Sequence, residues 1–231
     1  MKKLLILTTA TNRAELHKQV FLRYKRFLKC DKDSKLSIVW LINVDFVSKF
    51  SQDVDSVLEV RERIERIFFN KRHQITFKWF LNRESGFSKA VWTLFKASGK
   101  YLDWADMILY LEDDWNYHIE NPKRHRILYF MDLLQKEGLD YLGLANHFRN
   151  KTVFPPALWS MSHFRKVRSH FLQYYKKDPD KNPEKVCKVF HHQGRHVNHV
   201  FLDIGRNWLK KKGLLKVENI LINGGIDKMY K

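Results

Sequence analysis

The chain has 231 residues, of which 44% are hydrophobic and 14% aromatic. This length and apolar content fit one folded domain and exclude an intrinsically disordered chain. Lysine and arginine (43) exceed aspartate and glutamate (25), so the net charge of +18 favours anionic partners: nucleotides, nucleic acid or an anionic membrane surface.

The first half of the sequence alternates apolar strand patterns with helical patterns. This order predicts an α/β fold in which a mostly parallel central sheet with right-handed crossovers is flanked by helices. The predicted strands are 4–8, 36–44, 74–81 and 107–111, and the predicted helices are 14–28, 54–69 and 85–97.

The pattern becomes less regular in the second half, where Pro155 and Pro156 interrupt the chain. No internal repeat or interdomain linker is found, so the sequence predicts a single domain over 1–231. The elements predicted here are a helix at 123–136, a strand at 141–145, a basic helix at 163–175, a loop at 176–184, a second basic helix at 197–212 and a strand at 214–222.

The cysteines and the longest apolar stretches indicate the cellular compartment in which the protein is expected. Cys30 and Cys187 are far apart and fit no ligand pair, so we expect two reduced thiols in a cytoplasmic protein. One long-range disulfide is the alternative. No stretch approaches the ~20 apolar residues of a membrane span.

Three consecutive carboxylates, Glu112, Asp113 and Asp114, follow the apolar strand at 107–111. In open α/β sheets, ligands bind beyond the carboxyl ends of the strands. Adjacent carboxylates repel one another, and hard oxygen ligands suit Mg²⁺ or Mn²⁺. The motif therefore predicts a divalent cation site, and solvated acids in a loop are the alternative.

The order of three motifs resembles the nucleotide-sugar glycosyltransferases of the GT-A fold. In that family, a glycine-rich turn and a helix precede the strand that ends in the acidic DXD motif, as 82–90 precede Glu-Asp-Asp here. The stretch 9–13, Thr-Ala-Thr-Asn-Arg, is similar to the family's opening T-x-N-R signature. The resemblance implies a GT-A, Rossmann-like domain with a nucleotide-sugar-binding half at about 1–117 and a smaller acceptor-binding half at about 118–231.

The same resemblance implies roles for individual residues. Asp114 would be the direct ligand of Mn²⁺ or Mg²⁺ at the donor diphosphate, and Asp113 would contact the ribose, the metal or its water shell. Glu112 would lie near the donor sugar. An ordinary helix start with a solvated lysine is the alternative for Gly86 and Lys89. The residues expected to bind the nucleotide are Thr9, Thr11, Asn12, Arg13, Asp45, Gly86 and Lys89.

On the acceptor side, an inverting transfer needs a base that deprotonates the acceptor hydroxyl. Asp203 resembles the acid of the family's late E/D-x-G-x-R helix and is the predicted base; an aspartate paired with Arg206 is the alternative. Glu184 and Asp180 are weaker candidates because they fall in a polar predicted loop. Trp159 is expected either to stack on a sugar face or to pack in the core.

Four histidines lie within a short stretch, at 191, 192, 196 and 199. On a helix, His192 and His196 would share one face, as zinc ligands can. Their spacing matches no standard zinc motif, so a single histidine near the diphosphate or the metal is favoured over a zinc site.

The sequence thus predicts a metal-dependent hexosyl- or related transferase that moves a sugar from a nucleoside-diphosphate sugar to a hydroxyl of a glycan, lipid or protein-linked sugar. We expect peripheral contact with an anionic membrane and no stable nucleic-acid partner. One alternative is nucleic-acid binding or metal-dependent nucleotidyl transfer through the basic aromatic stretches 164–177 and 206–212. The other is a non-catalytic protein that docks on an anionic membrane or polysaccharide, which leaves the acidic motif unexplained.

Overall fold

A computed structural model describes residues 1–11, 13–29, 35–45, 54–68, 74–82, 86–118, 126–145, 154, 156–187, 190 and 193–205. The strands are β1 (Lys2–Thr11), β2 (Leu36–Asp45), β3 (Gln74–Asn82), β4 (Met107–Glu112), β5 (Trp115–Tyr117), β6 (Tyr141–Ala145), β7 (Ala157–Ser160) and β8 (Gly194–Asp203). The α-helices are α1 (Ala14–Phe27), α2 (Val54–Phe68), α3 (Phe87–Ser98), α4 (Ile127–Lys136), α5 (Met161–Tyr175) and α6 (Pro183–Cys187).

The eight described strands form one sheet in the order β3-β2-β1-β4-β7-β6-β8-β5. β3, β2, β1 and β4 are parallel to one another, β7 runs antiparallel to β4 and β6, and β5 runs antiparallel to β8. Helices cover both faces, which is why the central strands are continuous apolar runs. The prediction of an α/β fold with a mostly parallel central sheet flanked by helices is confirmed.

The sheet separates two hydrophobic clusters, one under α1, α2 and α4 and the other under α3, α5 and α6. Successive side chains of a strand point to opposite faces. Along β4, Leu109 and Leu111 therefore join the first cluster, and Ile108 and Tyr110 join the second. This alternation sets the directions of the acids that follow.

The helix predicted at 197–212 is wrong where the structure describes it, because 194–203 form strand β8. The stretch is rich in β-branched and aromatic side chains, and it pairs with both β6 and β5, so tertiary pairing overrides the helical spacing. His199 adopts a left-handed φ of 62°, next to a register shift in the β6–β8 ladder, as at a β-bulge. The strand predicted at 214–222 and residues 206–212 lie outside the described residues.

Smaller differences concern short elements. Trp115–Tyr117 form the short strand β5, because β8 supplies a partner strand. The predicted loop at 176–184 ends in the helix α6, and 157–160 form β7 between β4 and β6. Cys187 is a buried free thiol. In the described part of the chain, no helix has the length and apolar character needed to span a membrane.

Trp40 offers a test of the core on the α1 side of the sheet. Its ring is fully buried, stacks on Phe21 with centroids 5.5 Å apart, and its Nε1 donates a 2.9 Å hydrogen bond to Thr8 Oγ1. We expect Trp40→Ala to lower the free energy of unfolding by about 3–5 kcal/mol, because a cavity and an unpaired hydroxyl remain. Urea denaturation measures this. The control, Leu58→Ala at a position 44% exposed, should stay within about 0.5 kcal/mol of the wild type, and equal losses in both variants would contradict the assignment.

Candidate active site

Polar side chains gather where the central parallel strands end. Thr9 lies opposite Glu112 in the β1–β4 ladder, and Thr11 lies opposite Asp45 in the β1–β2 ladder, so the three strands end at one edge. Most of the buried polar side chains that the structure describes lie near this edge, in contrast to the apolar middle of each strand. They include Thr8, Thr9, Arg13, His17, Asn43, Asp45 and Asp113.

Asp113 is only 3% exposed and is held by protein groups on both oxygens. Its Oδ1 accepts a 2.6 Å bond from the Arg13 guanidinium, and its Oδ2 accepts bonds from His17 Nε2 at 2.7 Å and the Thr11 backbone N–H at 3.0 Å. Burial alone would raise the pKa of Asp113, but Arg13 and His17 outweigh it and hold that pKa well below its usual range. The carboxylate is therefore charged and bound within the protein.

These contacts bear on two expectations. Asp113 was expected to contact a ribose or a metal, and its oxygens instead receive Arg13, His17 and the Thr11 backbone. Arg13 was expected to line a nucleotide pocket, and its side chain is instead buried in an ion pair with Asp113. His17 was missed from the sequence because nothing local marks a helical histidine as the partner of a carboxylate so far along the chain.

Asp114 has a different environment. Its Oδ2 lies 3.3 Å from the Arg13 guanidinium, whereas its Oδ1 is buried and accepts no hydrogen bond from any described residue. Burial and, next, the charge of Asp113 raise the pKa of Asp114 to about 7, against the opposing effect of Arg13. A buried carboxylate oxygen without a donor is costly unless a proton or a cation reaches it.

The donor set at this edge fits a hard divalent cation through Asp114. Within the described ranges, no group of three or more His, Cys, Asp or Glu side chains is arranged to hold a metal. Mg²⁺ is commonly held by one or two carboxylates, with phosphate and water oxygens completing its shell. The free Oδ1 of Asp114 meets that requirement, and the fully engaged Asp113 does not.

The segment after β8 closes over Asp114. The backbone N–H of Ile204 donates to the Asp114 carbonyl at 2.8 Å, and the N–H of Gly205 donates to Asp203 Oδ1 at 2.9 Å. A Cβ at Gly205 would lie 2.7 Å from the Asp114 Cβ, so only glycine permits this approach. Asp203 ends a strand rather than belonging to a helix, and its charge adds to the rise in the pKa of Asp114.

Glu112 points to the face of the sheet opposite Asp113, on the side of Tyr110 two residues earlier. Its Oε2 accepts a 3.0 Å bond from Trp115 Nε1. Burial, followed by the charges of Asp114 and Glu184, raises the pKa of Glu112 well above its usual value. The three consecutive acids thus diverge: Glu112 faces α3 and α6, Asp113 faces α1, and Asp114 lies under the end of β8.

Asp45 and Gly86 contact each other. Asp45 is 5% exposed, its Oδ2 accepts a 3.0 Å bond from the Gly86 backbone N–H, and its Oδ1 accepts one from Asn43. Burial raises the pKa of Asp45, and these bonds oppose the rise. Gly86 and Asp45, which were both expected to bind the nucleotide, thus bind each other, and this bond joins the end of β2 to the start of α3.

The remaining predicted residues are placed as follows. Thr9 Oγ1 lies 3.0 Å from the Tyr110 hydroxyl, and the Lys89 ammonium lies 5.5 Å from the ring centre of Trp92. Trp159 is fully buried, which confirms the alternative that it packs in the core. Asn12, Arg206, His191 and His192 lie outside the described residues.

Comparisons with known proteins give similarities of fold. No protein-family model matches the sequence, and no curated protein sequence matches it. Solved structures that match include S. aureus TarS, with a TM-score of 0.49 and 10% identity over 86% of this chain and 35% of that chain. S. aureus TarS 1–349 in complex with UDP matches with a TM-score of 0.48 and 11% identity over 85% of this chain and 61% of that chain. The galactosyltransferase LgtC in complex with donor and acceptor sugar analogs matches with a TM-score of 0.48 and 12% identity over 84% of this chain and 73% of that chain. The chain spans about a third of the length of TarS. At these identities the likeness does not extend to activity.

The raised pKa of Asp114 makes stability depend on pH. A carboxyl with a pKa of about 7 when folded and about 3.9 when unfolded binds its proton more tightly in the folded state. The free energy of unfolding should therefore fall as pH rises from about 4 to about 7. Asp114→Asn removes this loss, so at pH 8 the variant should be more stable than the wild type by up to about 4 kcal/mol.

Urea denaturation at pH 4, 6 and 8 measures this difference. The control is Glu62→Gln, which changes an exposed carboxylate on α2. If the free energy of unfolding changed with pH in the same way for the wild type and for Asp114→Asn, the raised pKa of Asp114 would be contradicted.

Gly205→Ala tests the closure over Asp114. The new methyl would overlap the Asp114 side chain, so we expect the free energy of unfolding to fall by about 1–3 kcal/mol. The control is Gly138→Ala, which has open space for a Cβ and a φ of 62°, so any loss there reflects backbone strain alone. In Gly205→Ala combined with Asp114→Ala, most of the loss should be recovered. A double variant in which the effects of the two substitutions on the free energy of unfolding simply add would contradict the contact.

Proposed function

We propose that this chain is a glycosyltransferase of the GT-A type, which uses Mn²⁺ or Mg²⁺ to move a sugar from a nucleoside-diphosphate sugar to a hydroxyl acceptor. The observation that carries the proposal is Asp114 Oδ1, a buried carboxylate oxygen without a donor in the described structure, at the carboxyl end of a central parallel strand. Ligands of open α/β sheets bind at this edge.

The chemistry follows from the bond that breaks. When the bond between the sugar and the diphosphate breaks, negative charge builds up on the leaving nucleoside diphosphate. A divalent cation, when bound, stabilises that charge as a Lewis acid. The protein's part is to hold Asp114: Arg13 binds its Oδ2, Ile204 binds its backbone carbonyl, and Oδ1 is left for the cation. We propose no direct role in the reaction for Asp113, which orients Arg13.

The nucleic-acid alternative loses support in the described residues of α5. Its aromatic residues Phe164 and Phe171 are buried in the core and cannot stack on bases. The Arg165 guanidinium pairs with Asp103, and Arg168 Nε donates to the Phe95 carbonyl. These four side chains therefore serve contacts within the protein.

We include peripheral contact with an anionic membrane in the proposal. The support is the outer face of α1 and the turn after it, where basic side chains are exposed around Leu22, itself 45% exposed. A basic helix face is attracted to anionic lipid headgroups. The exposed basic residues are Lys18, Arg23, Lys25, Arg26 and Lys29.

A thermal-shift screen tests the proposed function. UDP, GDP and CDP, each with and without Mn²⁺, should identify one nucleotide that raises Tm by several degrees only when Mn²⁺ is present, since a ligand at 100 times its Kd adds about 2.7 kcal/mol of stability. Asp114→Asn should lose the Mn²⁺-dependent shift, and Glu62→Gln should keep it. Salt-sensitive binding of oligonucleotides with no response to any nucleoside diphosphate would contradict the proposal.

A further inference from the structure

Helix α6 lies at the same edge of the sheet as the candidate site. Ser88 Oγ, in the first turn of α3, donates a 3.0 Å hydrogen bond to the carbonyl of Lys181, just before α6. Two residues earlier, the Gly86 N–H donates to Asp45 at the end of β2. The start of α3 therefore contacts both the end of β2, at the candidate site, and the segment that precedes α6.

Glu184 lies at the border of the buried face of α6. Pro183, Val186 and Cys187 are buried, and the last two belong to the same hydrophobic cluster as Tyr110. Glu184 lies three residues before Cys187, so it is next to that buried face, and its side chain is half-buried. No described residue donates a hydrogen bond to its carboxylate or forms an ion pair with it.

The charge of Glu184 acts on groups at the end of β4. After burial and the charge of Asp114, it helps to raise the pKa of Glu112, and after burial it raises the pKa of Tyr141. Glu112 is on the face of β4 that packs toward α3 and α6, as is Tyr110. Because α6 packs into the same cluster as Tyr110, Glu184 lies on that face of β4, whereas Asp203 lies with Asp114 under the end of β8.

We propose that Glu184, rather than Asp203, is the base that accepts the proton of the acceptor hydroxyl. This inference rests on the glycosyl transfer proposed above. Asp203 is beside the carboxylate that would hold the cation, and one of its oxygens receives the Gly205 N–H. Glu184 is half-buried on the other face of β4, and no described residue engages its carboxylate.

The step is a single displacement in which all atoms and electrons balance. The Glu184 carboxylate takes the proton of the acceptor hydroxyl while the hydroxyl oxygen forms a bond to the anomeric carbon of the donor sugar. The bond between that carbon and the diphosphate oxygen breaks, and the nucleoside diphosphate leaves with the electron pair. The anomeric configuration is therefore inverted.

The test compares isosteric variants in a steady-state assay. Release of nucleoside diphosphate is measured with the UDP-, GDP- or CDP-sugar that the wild type cleaves fastest, with Mn²⁺ and with water as the acceptor. We expect Glu184→Gln to lower kcat by roughly 10²–10⁴-fold, the usual contribution of a general base, with KM for the donor and the nucleotide-induced Tm shift unchanged. Glu62→Gln, which changes an exposed carboxylate on α2 away from the site, is the matched control and should behave as the wild type.

The outcomes separate this inference from the proposed function. A Glu184→Gln enzyme with kcat within threefold of the wild type would overturn the assignment, above all if Asp203→Asn lost turnover and kept the Mn²⁺-dependent Tm shift. A Glu184→Gln enzyme that lost the nucleotide Tm shift together with turnover would show a structural role and also overturn it. A wild type with neither turnover nor a nucleotide Tm shift would overturn the proposed function, and this inference with it.

Discussion

A buried ion pair between Arg13 and Asp113 determines how the candidate site is built. Arg13 immediately precedes α1 and Asp113 immediately follows β4, so the pair joins two elements that are distant in sequence. Both side chains are almost fully buried, and removing one partner of such a pair typically costs 3–5 kcal/mol because the other charge is left unpaired. His17, one turn into α1, binds the same carboxylate. The pair fixes where β4 ends and, with it, the positions of Glu112 and Asp114.

The pleat of β4 gives three adjacent carboxylates three different environments. Glu112 faces α3 and α6, where burial favours its neutral form, and Asp113 faces α1, where Arg13 keeps it charged. Asp114 follows the strand and lies below the end of β8, with one oxygen left without a donor among the described residues. Like charges that would repel one another side by side are thus separated, and each acid becomes available for a different task.

The sequence predicted the parallel half of the sheet to within a few residues, because strands buried on both faces are continuous apolar runs and helices between them show regular spacing. It failed for β8, whose partners β5 and β6 are distant in sequence, so that local spacing alone favoured a helix. For the candidate site, the sequence predicted the edge of the sheet at which the acidic residues lie, but it did not predict their contacts. Glu112, Asp113 and Asp114 lie at the expected edge, but no local pattern shows that Arg13 and His17 occupy Asp113. Glu184 was a weaker candidate because it fell in a polar predicted loop. The helix α6, at five residues, is too short to give a periodic signal.

The position of β8 has a consequence for the order in which the chain folds as it emerges from the ribosome. β5 is synthesised directly after β4, yet its partner among the described strands is β8, which comes far later. The parallel strands β1 to β4 can pair early, whereas β5 and the cover over Asp114 must wait until β8 has been made. Pairings between distant segments form slowly. A nascent chain that stops before β8 would hold the acidic motif on an assembled sheet, uncovered, so the candidate site is among the last parts of the described molecule to mature.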